Sequence, residues 1–416
     1  MTVPFGDGNE QLAALFENIG RMLRGSGGSV DWTAARESAV AAVETDAAIT
    51  DADSAEVRAA ADLADLWLDQ ATDLATSAPC SALNRRQWLD VTFDHWRTVV
   101  EPVADGMAGA MSHLITDAPR ELSGEMFNGL PQEIREQMQA AMHGTDLNAL
   151  SQSLGAIART MGATMFGIQF GQALAEMSDE VLSSSDVGVI LPIDAVVLPH
   201  NVRSFAKGLG IDAAEALLYI VMRELAFRRL TWATPWLATR MADALAEFAR
   251  GVRIDTSRIQ SVMDNIDPNN PHALHELLGG NLFDTAVSDA QQAARARLEL
   301  LLALVEGWVT TVATIAIDRR LASASALEES LRRRRAAGGP AEKLLGGLVG
   351  LEPRPRLVRE AVVLWQHITD QWGAAQRDAL WQHPDLMPTA DDLADPLAFH
   401  LPDEGDWVPD LGSSSE

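Results

Sequence analysis

Apolar residues recur every three or four positions along most of this chain, while runs that alternate apolar and polar are scarce. That spacing gathers apolar side chains on one face of a 3.6-residue turn, so the pattern predicts a mainly α fold. Asp31-Trp-Thr-Ala-Ala-Arg opens the first main helix with a side-chain acceptor at its start. Further helices are expected over 54–76, 86–117 and 131–142, then near 201–208, 212–230, 235–250, 256–264, 271–278 and 287–317. The last group is expected at 323–337, 341–349, 355–371 and 374–381, with Gly338-Gly-Pro340 and Pro353-Arg-Pro355 as punctuation. Two short β-branched runs, Val187-Gly-Val-Ile-Leu191 and Ala195-Val-Val-Leu198, predict a small β ribbon near 187–198. Gly162, Gly167 and Gly171 interrupt an apolar helical stretch holding Met161, Met165, Phe166 and Phe170, which points to close helix packing rather than a phosphate loop.

This pattern divides the chain into a flexible N-terminal arm at 1–30, an N-terminal helical lobe at 31–185 and a second lobe at 186–395 packed on it as one body. Residues 396–416 turn acidic and proline-punctuated and read as a flexible tail. With 47% hydrophobic and 22% charged residues, the chain can bury a sizeable core. A formal net charge of −27 repels phosphate backbones, so no nucleic-acid partner is expected. The one basic run, Arg332 to Arg335, fans around a helix and reads as solvated ends or intramolecular pairing. Cys80 is the sole cysteine, which excludes an intrachain disulfide and a thiolate metal cluster and fits a reducing compartment. Without a basic, apolar leader in its opening residues, the chain is expected in the cytoplasm. Leu300 to Ile317 approaches membrane-spanning length, which would suit a membrane-associated interaction protein, yet Glu306 near its middle and the mixed-charge flanks favour a buried helix.

Two carboxylates therefore demand an explanation. Glu224 follows Ala216 to Met222 and Glu306 lies among Leu300 to Val309, so each needs a cation, a metal, a proton or hydrogen-bond donors. Arg223 is the nearest cation in sequence to Glu224, although Arg228 and Arg229 just beyond it could mark a solvated helix end. Arg223-Glu-Leu-Ala-Phe227 has the spacing of H-E-x-x-H with both histidines exchanged. In that zinc motif the two histidines bind the metal from one helix face and the glutamate activates its water. A guanidinium and a phenyl ring offer zinc no lone pair.

Several longer segments extend the comparison: Pro235-Trp-Leu, Phe248-Ala-Arg-Gly251, Ile254-Asp-Thr-Ser-Arg258 and Leu302-Ala-Leu-Val-Glu-Gly-Trp-Val309. They continue in Arg332 to Glu342, Leu348-Val-Gly-Leu-Glu352 and Trp381-Gln-His-Pro-Asp-Leu-Met-Pro-Thr-Ala-Asp-Asp-Leu393. Together they resemble the zincin-like zinc-dependent metalloproteases and hydrolases of actinobacteria. The resemblance implies a mostly helical zincin-like fold with a metal-binding helix and a later helix supplying an acidic ligand. Glu224 matches its general-base position, here vestigial, and Glu306 the later acid. Arg223 and Phe227 stand at the two histidine positions. The expected arrangement has Arg223 bridging Glu306, Glu224 or both in place of the metal charge, with Phe227 filling the vacated space.

The chain is thus expected to be a degenerate family member without zinc peptidase activity and with no cofactor, binding or scaffolding a protein or peptide. The alternative is an active zinc metallohydrolase using Glu224, Glu306 and a histidine such as His200 or His275. His272 and His275, with Glu276, share a helix face but lack a third ligand, and His383 with Asp385 suits a turn before Pro384. No nucleophile elbow, phosphate loop or dinucleotide fingerprint is present, and Cys80 has no histidine near it in sequence. Trp308, Trp365, Trp372 and Trp381 read as core or interface packing.

Overall fold

In a computed structural model the described residues are 28–43, 46–75, 79–117, 147–250, 288–340, 343 and 357–401. The helices expected at 131–142, 256–264, 271–278 and almost all of 341–349 lie outside them, as do the arm before residue 28 and the tail beyond 401. The helices, in order, are α1 Trp32–Ala42, α2 Asp51–Leu68, α3 Arg85–Asp117 and α4 Leu147–Glu180, then α5 Pro199–Leu209, α6 Ala213–Ala233 and α7 Pro235–Arg250. After these come α8 Asp289–Ile317, α9 Ala324–Ala336, α10 Val358–Ala379 and α11 Ala390–Ala394. The fold is mainly α, as the apolar spacing implies.

Local chemistry sets many of the helix starts. Asp31 accepts from the Ala34 N–H and Asp212 from those of Ala214 and Glu215. Thr50 with Asp53, Ser288 with Gln291 and Thr389 with Asp392 form reciprocal capping boxes. Thr50 hydrogen bonds, helped by Arg203, hold the Asp53 carboxyl below the usual carboxylate range. Gly373, at φ 86°, breaks α10 between the two helical stretches expected on either side of it.

The β ribbon differs from its expected form. Only Val196–Val197 (β2) is strand there, and it pairs in parallel with Ser81–Ala82 (β1), which lies far earlier in the chain between α2 and α3. Val187 to Leu191 is not strand. A 3-10 turn over Ser184–Val187 ends at left-handed Gly188, which diverts the chain, and Pro192 has no N–H to extend a ladder. The β-branched run reflects burial, since Val187, Val189 and Leu191 all lie in the core.

Close packing at glycine explains how α4 meets α1. A Cβ on Gly171 would lie 2.2 Å from the Ala35 carbonyl oxygen, and one on Gly167 2.4 Å from that of Asp31. Gly162 does not share this role, because a Cβ there meets nothing within 4 Å. Gly171→Ala is therefore expected to destabilise the protein by about 1–3 kcal/mol through overpacking against backbone. Gly162→Ala should be neutral or stabilising by up to ~1 kcal/mol, as alanine is the better helix former. Urea denaturation of the two variants checks the contrast. Gly307 acts similarly where α8 meets α10: a Cβ there would come within 2.6 Å of Ala361 Cβ.

The core runs through both expected lobes without interruption. α8 is long and apolar enough to cross a membrane, and 67% of its most apolar window is buried inside the protein. Trp308, Trp365 and Trp381 are fully buried, with Trp381 stacked between Trp365 and Trp236. α6 is buried nearly all round from Ala216 to Leu230, the condition of a central helix.

Candidate functional site

α6 carries Arg223, Glu224, Arg228 and Arg229 into the core, all at most 6% exposed. The arginines after Phe227 do not mark a solvated helix end, because each is tied down inside. Charges buried this deeply persist only when paired and hydrogen-bonded. They sort into three separate clusters.

Arg223 points to α8. Its guanidinium forms an ion pair with Glu306 and donates to Thr310 Oγ1 at 3.0 Å, and Thr310 Oγ1 lies 3.3 Å from Glu306 Oε1. Thr310 follows Glu306 by one helical turn, so α8 offers carboxylate and hydroxyl side by side. Arg335, near the end of α9, forms a second ion pair with the same Glu306. Tyr219, one turn before Arg223, is buried close enough for the Arg223 and Arg335 charges to bear on its hydroxyl. Burial pushes the Tyr219 hydroxyl pKa up, against the pull of the neighbouring arginine.

Glu224 turns away into a different set of partners. The Ser184 hydroxyl and the Ser185 N–H, the latter at 2.7 Å, both donate to it from the 3-10 turn. Arg228 Nε donates at 2.9 Å, one turn along α6, and the Val196 N–H reaches it at 3.4 Å. Arg228 completes the cluster by donating to the Leu191 carbonyl at 2.9 Å and to Ser184 Oγ at 2.7 Å. Of the two partners open to Arg223 in the sequence, its guanidinium meets Glu306, and Glu224 has its own arginine. Phe227 is buried and lies under the Arg228 guanidinium, 5.3 Å from ring centroid to carbon.

Arg229 faces α2, donating to Asp65 at 2.8 Å, Asp69 at 2.7 Å and the Leu74 carbonyl at 3.2 Å. These contacts lie where the apolar pattern continued the helix to residue 76. α2 instead stops at Leu68, and the turns after it offer their carbonyls to Arg229 and Arg377. Cys80 is buried, and burial, reinforced by the Glu224 charge, pushes its thiol pKa up. Shielded from solvent, the thiol lacks the exposure of a reactive cysteine.

The remaining sequence candidates lie elsewhere. His200 Nδ1 sits 3.1 Å from Arg203, whose guanidinium also pairs with Asp53. His383 accepts from the Asp385 N–H at 3.3 Å and caps the 3-10 turn Pro384–Leu386. His272, His275 and Glu276 fall outside the described residues. The arginine run is spent internally: Arg332 and Arg333 on Glu329, Arg334 on Asp186, Arg335 on Glu306.

A zinc ion does not fit the side chains at the motif positions. Arg223 and Phe227 have no lone pair to give, Glu306 is already shared by two guanidiniums, and Glu224 accepts from four donors. Among the described residues no three His, Cys, Asp or Glu side chains are grouped as a metal would need. Sequence reasoning missed Arg335, Ser184 and Ser185. The only signal for this wiring was the i,i+4 spacing of Glu224 and Arg228.

The family model described as zincin-like metallopeptidase matches residues 30–400. Among solved structures, the chain is similar to a "putative hydrolase with a novel fold" from Chloroflexus aurantiacus, at 15% identity and a TM-score of 0.57. That match covers 88% of this chain and 96% of the other, a likeness of fold alone. A search of curated proteins finds no match.

Proposed function

Because the chain belongs to the zincin-like metallopeptidase family, we propose that it is a member in which an internal ion cluster replaces the catalytic metal. It binds or scaffolds a protein or peptide rather than cleaving one. The observation that carries this reading is the seizure of Glu306 by Arg223 and Arg335. Two guanidiniums supply the positive charge that an acidic ligand position would otherwise obtain from zinc, and they cannot polarise a water or a peptide carbonyl as a metal does.

The fate of Glu224 supports the same view. A general base needs a free lone pair within reach of a water or substrate. Here the carboxylate is fully buried and engaged by Ser184, Ser185, Val196 and Arg228. Its role is to hold the 3-10 turn and β2 onto α6. The peptide or protein partner is inferred from the family description, and the proposed compartment is the cytoplasm, where a buried single thiol stays reduced. A nucleic-acid partner is not part of the reading, because the formal net charge is −27 and each arginine of the basic run already has a carboxylate partner within the chain.

Incubating the zinc-supplemented protein with a diverse peptide mixture tests the proposal. Mass spectrometry should find no cleavage above a protein-free control, while the immobilised protein retains a defined subset of the peptides. Cleavage abolished by a chelator would overturn it.

A further inference from the structure

Among the described residues, polar contacts fasten α9 at both ends, its start to α6 and its end to α8, to the 3-10 turn Ser184–Val187 and to the last residue of α4. At its start, the Ser323 N–H donates to Glu215 at 3.0 Å, and the Ser323 hydroxyl donates to the same carboxylate instead of capping its own helix. At its end, Arg334 pairs with Asp186 at 2.6 Å and donates to the Glu180 carbonyl, while Arg335 pairs with Glu306. Glu328, between these ends, is close enough to Tyr219 to bear on its ionisation. Glu215 of α6 thus meets Ser323 at the start of α9, while Arg223, two turns further along α6, shares Glu306 with Arg335 near the end of α9. The two helices run in the same direction, with α9 over the face that bears Tyr219 and Arg223.

Its apolar attachment is slight. Of its thirteen residues only Leu327 and Leu331 are fully buried. The joints on either side depart from ordinary backbone: Asp318 at φ 21° and Arg319 at φ 62° precede α9, and Gly338 at φ 86° follows it. A short helix between two irregular joints, anchored by ion pairs and two leucines, opens with the loss of only those two side chains from the core.

We propose that α9 is an electrostatically latched lid over the Tyr219–Arg223–Glu306 face, released when the Arg334–Asp186 and Arg335–Glu306 pairs are weakened. The latch is partly exposed, with the Arg334 and Arg335 side chains each 18% accessible, so salt reaches it more readily than the buried Glu224–Arg228 pair. The inference is independent of whether the protein cleaves peptides.

The chain's single tyrosine lies beneath the lid, which gives a specific reporter. Nitration of Tyr219 by tetranitromethane and hydrogen exchange of the 324–336 amides are measured on the full-length protein at fixed pH. Raising NaCl to about 1 M, where the Debye length is about 3 Å, should accelerate both about fivefold or more, with α8 amides unchanged. R335Q should show at low salt the faster rates that the parent shows at high salt. If that variant does not fold, the salt series on the parent protein decides alone. Either readout unchanged by salt overturns the proposal, as does a rise in α8 exchange matching that in α9.

Discussion

Glu224→Ala should lower the folding stability by about 3–5 kcal/mol, the scale expected when one partner of a buried ion pair is removed. The reason is the company left behind. Arg228 would remain in the core with the Leu191 carbonyl and Ser184 but no counter-charge, and the Ser185 N–H would lose its acceptor. Glu224→Gln keeps an acceptor oxygen and should cost less, since part of the hydrogen bonding survives. Urea denaturation gives both numbers. A catalytic base on a stable scaffold behaves otherwise, because its amide variant loses activity and keeps its stability. A loss below about 1 kcal/mol for Glu224→Ala, the level of a surface pair, would contradict the structural role given to this carboxylate.

Asp378→Ala is expected to be as damaging, at about 3–5 kcal/mol. Asp378 is only 4% exposed and accepts from four groups drawn from three parts of the chain. Trp308 Nε1 donates at 3.0 Å from α8, Arg377 Nε at 2.8 Å from α10, and Thr72 Oγ1 at 2.5 Å with the Asp73 N–H at 3.0 Å from the turn after α2. Arg377 is itself fully buried, donates to the Ala71 carbonyl at 2.7 Å and lies 5.5 Å over the Trp308 ring. Removing the carboxylate therefore strands a buried guanidinium and an indole N–H together. Among the described residues the Glu224 and Asp378 clusters share no hydrogen-bond partner, so the double variant should show losses that add to within about 0.5 kcal/mol. Strong coupling between them would mean that the two ion clusters form one network.

The helical fold was legible because apolar spacing and capping residues are local signals. Asp31, Asp212 and Ser288 mark the starts of α1, α6 and α8, and each accepts the backbone N–H that its position suggests. Legibility failed where a tertiary demand overrode a local pattern. Val187 to Leu191 has strand composition because it is buried, yet its neighbours Gly188 and Pro192 prevent a ladder. α2 stops at Leu68 where periodicity would carry it further, and carbonyls beyond its end bind arginines from α6 and α10.

The candidate site shows the same division. Arg223 and Glu306 were open to pairing by charge and burial, since Glu306 is the lone charge in an apolar stretch, although Glu224 beside Arg223 was an equal candidate. Arg335 could not be so placed, because a run of four arginines on a short helix carries no local sign of which one turns inward. Nor could Ser184 and Ser185, which lie in a serine run whose only distinction is the turn that aims two donors at Glu224. Buried arginines at 228 and 229 looked like a helix end reaching water, and only the packing of α2 and the 3-10 turn around α6 reverses that reading.

The central claim is that arginine charge occupies the place of a metal, and zinc stoichiometry tests it most directly. The purified protein, equilibrated with zinc and freed of excess by gel filtration, is analysed for metal alongside Glu306→Ala. The account predicts far less than one zinc per chain in the parent and no change on substitution. One tightly held zinc per chain, lost on Glu306→Ala, would contradict it.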